Sequence, residues 1–187
     1  METWHASYRR QHPDLQQLAG SRPPWPLRLL DRAGLLSYDP AVLSTEQVYE
    51  LAADFGRSAA DAVDAGYDLI HVAGANMGIV HQFLSPFFNH RDDEFADGVR
   101  FLEAIAAEVR ARAGDVPLLT KVPAETEAPP FVRRRFGRDD CVRACKRLSE
   151  GDFDAVVPVS GSVFWDMSIV RGRYPARAWN HDAFQEG

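Results

Sequence analysis

Three short stretches of this chain carry side chains whose type and placement suit chemistry. Lys121 stands near the end of PLLTKVPAE, in an otherwise apolar run of strand length. An interior lysine at such a place is costly to bury unless something anionic sits opposite, so the position asks for a negative ligand or an ion pair. An amine at a strand end also suits Schiff-base attack on a carbonyl substrate. His71 lies within the apolar run LIHVA, and Asn76 follows just past its end. Strand side chains alternate, so His71 and Ala73 share one face, about 6.6 Å apart along the strand. The histidine reads either as a buried, hydrogen-bonded core residue or as a donor reaching a ligand. In the third stretch, DAVVPVSGS, Ser160 and Gly161 close an apolar run. A glycine there lets the backbone approach a ligand closely.

The elements that must position these residues follow from periodicity and punctuation. Ser44 with Gln47 three residues on is a capping-box signature. It opens a helix whose stripe is Val48, Leu51, Ala52, Phe55, Ala59, Ala62 and Val63, ending at Gly66. A strand is predicted over Asp68–Ala73, then a helix over about Asp97–Ala113 with Phe101, Leu102, Ile105 and Val109 on one face and Gly114 as terminator. A strand at Val116–Val122, a helix at Asp139–Ser149 with the stripe Val142, Cys145 and Leu148, and a strand at Phe153–Ser160 complete the series. Parallel strands require crossover helices, so this alternation predicts a parallel α/β fold. The strands are apolar and largely unalternating, as strands covered on both faces are. If the sheet belongs to a barrel, the long loops after the strands build the active site.

Residues 1–43 read differently, as an irregular extension with short helices, set apart from an α/β domain at 44–187. SRPPWP at 21–26 excludes helix interior. Short helices are predicted around Asp14–Leu18 and Pro26–Ala33, with Gly34 as a stop.

A net charge of −6 argues against nucleic acid as the main partner, since no basic excess exists to neutralise phosphates. The first residues carry no apolar core of a secretory signal, and no apolar run reaches the ~20 residues of a membrane helix, so a cytoplasmic location without membrane contact is expected. Cys141 and Cys145 lie four apart on a predicted helix. Two cysteines alone are too few to hold a metal, and they read as reduced, packed thiols. His81 and His90 read as loop residues whose spacing suggests no metal site.

QFLSP at 82–86, followed by NHRDDEF at 89–95, resembles the old yellow enzyme family of FMN-dependent NAD(P)H oxidoreductases, built on a TIM barrel. The resemblance covers about Ser44 to Pro175 and corresponds to barrel units near the fourth through sixth. It implies a partial TIM (β/α)8 barrel of about three central βα units, with FMN as cofactor, NAD(P)H as reductant and an unsaturated carbonyl compound as substrate. Family members are longer than this chain, so a truncated or split form is expected, with open sheet edges free to pair with a second copy or a complementary chain.

In the family, a His-x-x-Asn or His-x-x-His pair holds the carbonyl oxygen of an enone and a nearby tyrosine supplies a proton. Counting back from Gln82 puts Asn76 at the second position of the pair, Ala73 at the first and Gly78 at the tyrosine. Asn76 is therefore the catalytic candidate by resemblance, with His71 one layer below. Lys121 takes the place of an arginine that stabilises the reduced flavin; it keeps the charge but lacks the planar fork. Ser160 and Gly161 match a Ser-Gly-Gly that contacts the cofactor in a family subset, with Ser162 where the second glycine would be. Met167, Arg171, Gly172 and Pro175 fit a later motif of that subset. Arg91, Asp93 and Glu94 read as a structural salt-bridge cluster. Against the flavin enzyme stand a non-catalytic scaffold, favoured by Ala73 and Gly78, and an aldolase-type barrel fragment using Lys121 as its amine.

Overall fold

Ser44 starts the first long helix in the manner its sequence requires: its hydroxyl accepts from the Gln47 amide, and the Gln47 side chain accepts from the Ser44 amide at 2.9 Å. Two of the orphan donors at the helix start are thereby satisfied. The computed structural model describes residues 18–34, 40–75, 78–124 and 135–160. Asn76, Gly161, Met167, Arg171, Gly172, Pro175 and all but the last residue of the helix predicted at Asp14–Leu18 lie outside the described residues.

The elements run β1 (Leu18–Ala19), α1 (Trp25–Arg32), β2 (Ala41–Val42), α2 (Thr45–Asp64), β3 (Ile70–Val72), α3 (Ile79–Leu84), a 3-10 turn (Glu94–Ala96), α4 (Val99–Ala113), β4 (Leu118–Pro123), α5 (Arg138–Ser149) and β5 (Ala155–Val159). The strands β3, β4 and β5 lie side by side in that order, all parallel. The alternation of helix and strand therefore produced the sheet expected of it, with β3 and β5 each three residues shorter than predicted and β4 one.

One face of this sheet holds the core. Val72, Leu118, Thr120 and Val122 are buried there, packed with Val48, Ala52 and Ala59 of α2, the Phe101–Val109 stripe of α4, and Ala144 and Leu148 of α5. Helices α2 and α4 pack on each other at Gly56, where a Cβ would fall 2.6 Å from the carbonyl oxygen of Glu108. Only a residue without a side chain lets the two backbones come this close. Gly66 and Gly114 end their helices with positive φ, as their positions predicted.

Two local expectations are corrected. Leu18 belongs to a strand, not a helix: Leu18–Ala19 pairs in parallel with Ala41–Val42. In α5, Val142 is 45% exposed, and the buried stripe is Cys141, Ala144 and Leu148, with Cys145 half-buried. Spacing alone admits either phase on a short helix; packing against β4 and β5 selects the one that buries Cys141.

Candidate functional site at the strand ends

The second face of the sheet is uncovered among the described residues and carries His71 and Lys121. Because His71 pairs with Leu119 and Lys121 with Val157, the side chains of His71 and Lys121 stand on this same face, on neighbouring strands. Lys121 is half-buried and, among the described residues, has no hydrogen-bond or ion-pair partner. Partial burial and then the charge of Lys121 both push the His71 pKa below its ordinary value. His71 is exposed, so the expected buried core histidine is corrected: nothing among the described residues covers that face.

The backbone around these residues is closely held. The Thr120 hydroxyl, fully buried, donates to the Val72 carbonyl at 3.1 Å. Where β3 ends, a Cβ on Gly74 would fall 2.1 Å from the Lys121 carbonyl oxygen, so the chain rides directly over β4. The amide of Ala124 donates to the Val159 carbonyl at 2.8 Å and ties the end of β4 to that of β5, which leaves Ser160 beside the same edge. The register sets His71 level with Leu119 and Ala155, so Lys121 stands two residues further along the neighbouring strand on the same face, whereas Ser160 lies past the end of β5, five residues beyond Ala155 and apart from His71. Gly78 starts α3 with φ −67°, and a Cβ on it would meet nothing closer than the Ala73 carbonyl oxygen at 4.0 Å.

Behind the strand ends, the QFLSP and NHRDDEF segments form a rim. Arg91 is its hub: Nε donates to Asp93 Oδ1 at 2.8 Å, a second nitrogen to Asp93 Oδ2, and Nη1 to the carbonyls of Gly20 at 2.7 Å and Leu43 at 2.8 Å. Its guanidinium carbon lies 5.9 Å from the ring centre of Phe83 and 6.0 Å from that of Phe95. Hydrogen bonds from Arg91 and Thr45 hold the Asp93 carboxyl down at about 2, against the opposing effect of burial. The structural reading of Arg91 and Asp93 holds, whereas Glu94 pairs with Arg100 at 3.4 Å instead. Asn89, which sequence reasoning passed over, donates to the carbonyls of Phe83 and Phe95, each at 2.8 Å.

His81 is not the loop residue expected. It lies in α3 and is buried, with no partner for Nδ1 among the described residues, and burial drives its pKa down to about 4. His90 does lie in an exposed loop. The depressed value has a consequence for stability. The folded state resists protonating His81 while the unfolded state takes up the proton near 6.5, so this contribution is complete above pH 6.5 and is lost as pH falls towards 4. The loss is on the order of 3 kcal/mol. Asp93 adds a second loss in the same direction, at lower pH, between its ordinary 3.8 and about 2. Urea unfolding at pH 7 and pH 4.5 checks this: His81→Leu is expected to flatten the first loss, and an unchanged pH dependence in that variant would show that His81 is not its source.

A cleft of about 820 Å³ opens between the loop after α3 and the start of α5, lined by Pro86, His90, Asp97, Phe136 and Arg143 among others, and it contains none of His71, Lys121 or Ser160. Its Arg143 and Arg147 are engaged by Asp140, Asp97 and Glu103. Among the described residues no group of three or more His, Cys, Asp or Glu side chains can hold a metal ion, and no helix is long and apolar enough to cross a membrane.

Three parallel strands joined by crossover helices make up part of a TIM barrel. The chain belongs to the NADH:flavin oxidoreductase / NADH oxidase family, whose model matches residues 16–129. That match begins well before Ser44, so the family pattern includes the β1–β2 region. The NADPH dehydrogenase of Bacillus subtilis (strain 168) is 39% identical over 141 residues, covering 73% of this chain and 40% of that protein. The old yellow enzyme from Pichia sp. AKU4542 superposes with a TM-score of 0.62 at 18% identity, over 81% of this chain and 42% of that one. A 2-naphthoyl-CoA reductase in complex with 2-naphthoyl-CoA superposes with a TM-score of 0.63 at 18% identity, over 79% of this chain and 23% of that one. The chain spans about two-fifths of the length of the curated relative it matches.

Proposed function

We propose that this chain supplies the central strands of an FMN-dependent NAD(P)H oxidoreductase site acting on an unsaturated carbonyl compound. The observation that carries this reading is Lys121: a half-buried cation on the open face, without an anionic partner among the described residues. That amine fits the electron-rich edge of a flavin ring. Nothing among the described residues fits the phosphate end, whose loops in a barrel follow the seventh and eighth strands. FMN bound in the complete barrel would supply the hydride chemistry. Lys121 would place positive charge at the ring edge, Ser160 and Gly161 would line the approach beside β5, and Asn76 would hold the acceptor oxygen. His71 would be a displaced donor one layer below.

Lys121→Ala tests this. Flavin affinity is expected to fall by about tenfold or more, or the reduction potential to drop, since loss of a hydrogen bond to a charged group is worth about 1.5–3 kcal/mol. Flavin absorbance titration and potentiometry read both quantities; if neither moves, the lysine is structural. For the 187-residue chain alone, weak FMN binding is expected.

Ala73 and Gly78 favour a second reading, a non-catalytic relative that binds partners through its open sheet edges. A chain that binds no flavin at any concentration, yet associates through those edges, would support it.

A further inference from the structure

We propose that Cys141 and Cys145 form a two-thiolate chelate on α5 for a soft divalent cation of the zinc or cadmium type. This is independent of the flavin reading. The two sulfurs are 3.9 Å apart on adjacent turns of one helix, both reduced, with Cys141 buried and Cys145 half-buried. Donors four residues apart share a helix face, the same spacing by which two histidines of a helical zinc motif hold one ion.

The separation distinguishes between the two kinds of bridge a dithiol can form. Two zinc–sulfur bonds of about 2.3 Å meeting at a tetrahedral angle put the sulfurs about 3.8 Å apart. The observed spacing is close to one edge of such a tetrahedron, so both sulfurs can reach one ion from their present places on the helix. A disulfide needs Cβ atoms about 3.5–4.5 Å apart. Residues four apart on a helix keep theirs about 5–6 Å apart, so that bond would have to deform the turn.

The sequence counted two thiols as too few for a metal, and among the described residues no third ligand joins them. That makes the site open, with two positions left to water or an external ligand, in contrast to a closed structural zinc site. Soft thiolates select the class of ion. Cys145 gives the ion its way in; Cys141 anchors it against the core. Binding deprotonates both thiols and releases two protons per ion, with no change of oxidation state. An ion spanning two turns would also brace α5, the helix that backs β4 and β5.

The test is a titration of the whole chain with cadmium, kept reduced by a phosphine and followed by the sulfur-to-cadmium charge-transfer band in the ultraviolet. One ion per chain is expected. Cys145→Ser should weaken binding at least a hundredfold, whereas Cys145→His, which keeps a donor at that spacing, should retain binding with about half the band. At a hundredfold excess over Kd the Tm should rise by roughly 5–10 °C and fall back on adding a chelator. The absence of a stoichiometric band, or Cys145→Ser binding as tightly as the parent chain, would overturn the site. Cys145→Ser exchanges one atom of a half-buried side chain, so a folded variant is available for the comparison.

Discussion

Arg91→Ala is expected to cost about 3–5 kcal/mol of folding stability, the range for removing one partner of a buried ion pair. The Arg91 side chain is 9% exposed and that of Asp93 21% exposed, so water reaches the charge left behind only in part. The substitution also strips the donors from the carbonyls of Gly20 and Leu43, which close the ends of β1 and β2. Arg91 thus joins three segments that are distant in sequence, and its loss is felt in all of them. Arg91→Lys separates charge from geometry. A lysine keeps the charge but cannot reach two carbonyls and a carboxylate as a planar fork does, so it should recover only part of the loss. Denaturant unfolding of both variants gives the answer; a cost below about 1 kcal/mol for the alanine would mean that the network is dispensable.

The second large effect concerns catalysis and rests on the proposed function. Replacing Ala73 by histidine and Gly78 by tyrosine should raise enone reduction by the flavin-loaded protein by on the order of 10²–10³, the value of one positioned donor in a polar transition state. The backbone permits it. Ala73 is exposed, Gly78 has a φ any residue adopts, and a Cβ at 78 comes no closer than 4.0 Å to the Ala73 carbonyl oxygen. Each single substitution should give a smaller gain, because the carbonyl holder and the proton donor act on the same transition state. The measurement is kcat/KM for an enone at saturating reductant, with the visible spectrum reporting flavin content. Full flavin occupancy with no gain from the double substitution would show that the acceptor binds elsewhere.

How much of this was legible in the sequence depends on the range over which each feature is decided. The helix at Thr45–Asp64 was readable because its cap, its stripe and its stop at Gly66 all lie within the helix or beside it. The strands around Leu118–Pro123 and Ala155–Val159 were readable because a strand covered on its helix side must be apolar. Their parallel pairing followed from the helices between them. Lys121 drew notice for the same local reason: a charge in an apolar run is costly unless answered.

Tertiary structure alone decided the rest. His71 and His81 sit in equally apolar surroundings along the chain, yet one is exposed and the other buried, with no partner for Nδ1 among the described residues. Which of them loses water depends on what packs over each face, and that comes from distant segments. Gly56 takes its role only from α4, whose backbone packs directly against it. Val142 and Cys141 have equal claims to the core by periodicity, and the sheet beneath chose between them. Arg91 finds its partners across 71 residues at Gly20 and 48 at Leu43. The sequence by itself determined elements whose hydrogen bonds and caps are local; the sides those elements turn to solvent, and the charges that meet across them, were settled only when remote pieces of chain competed for the same buried space.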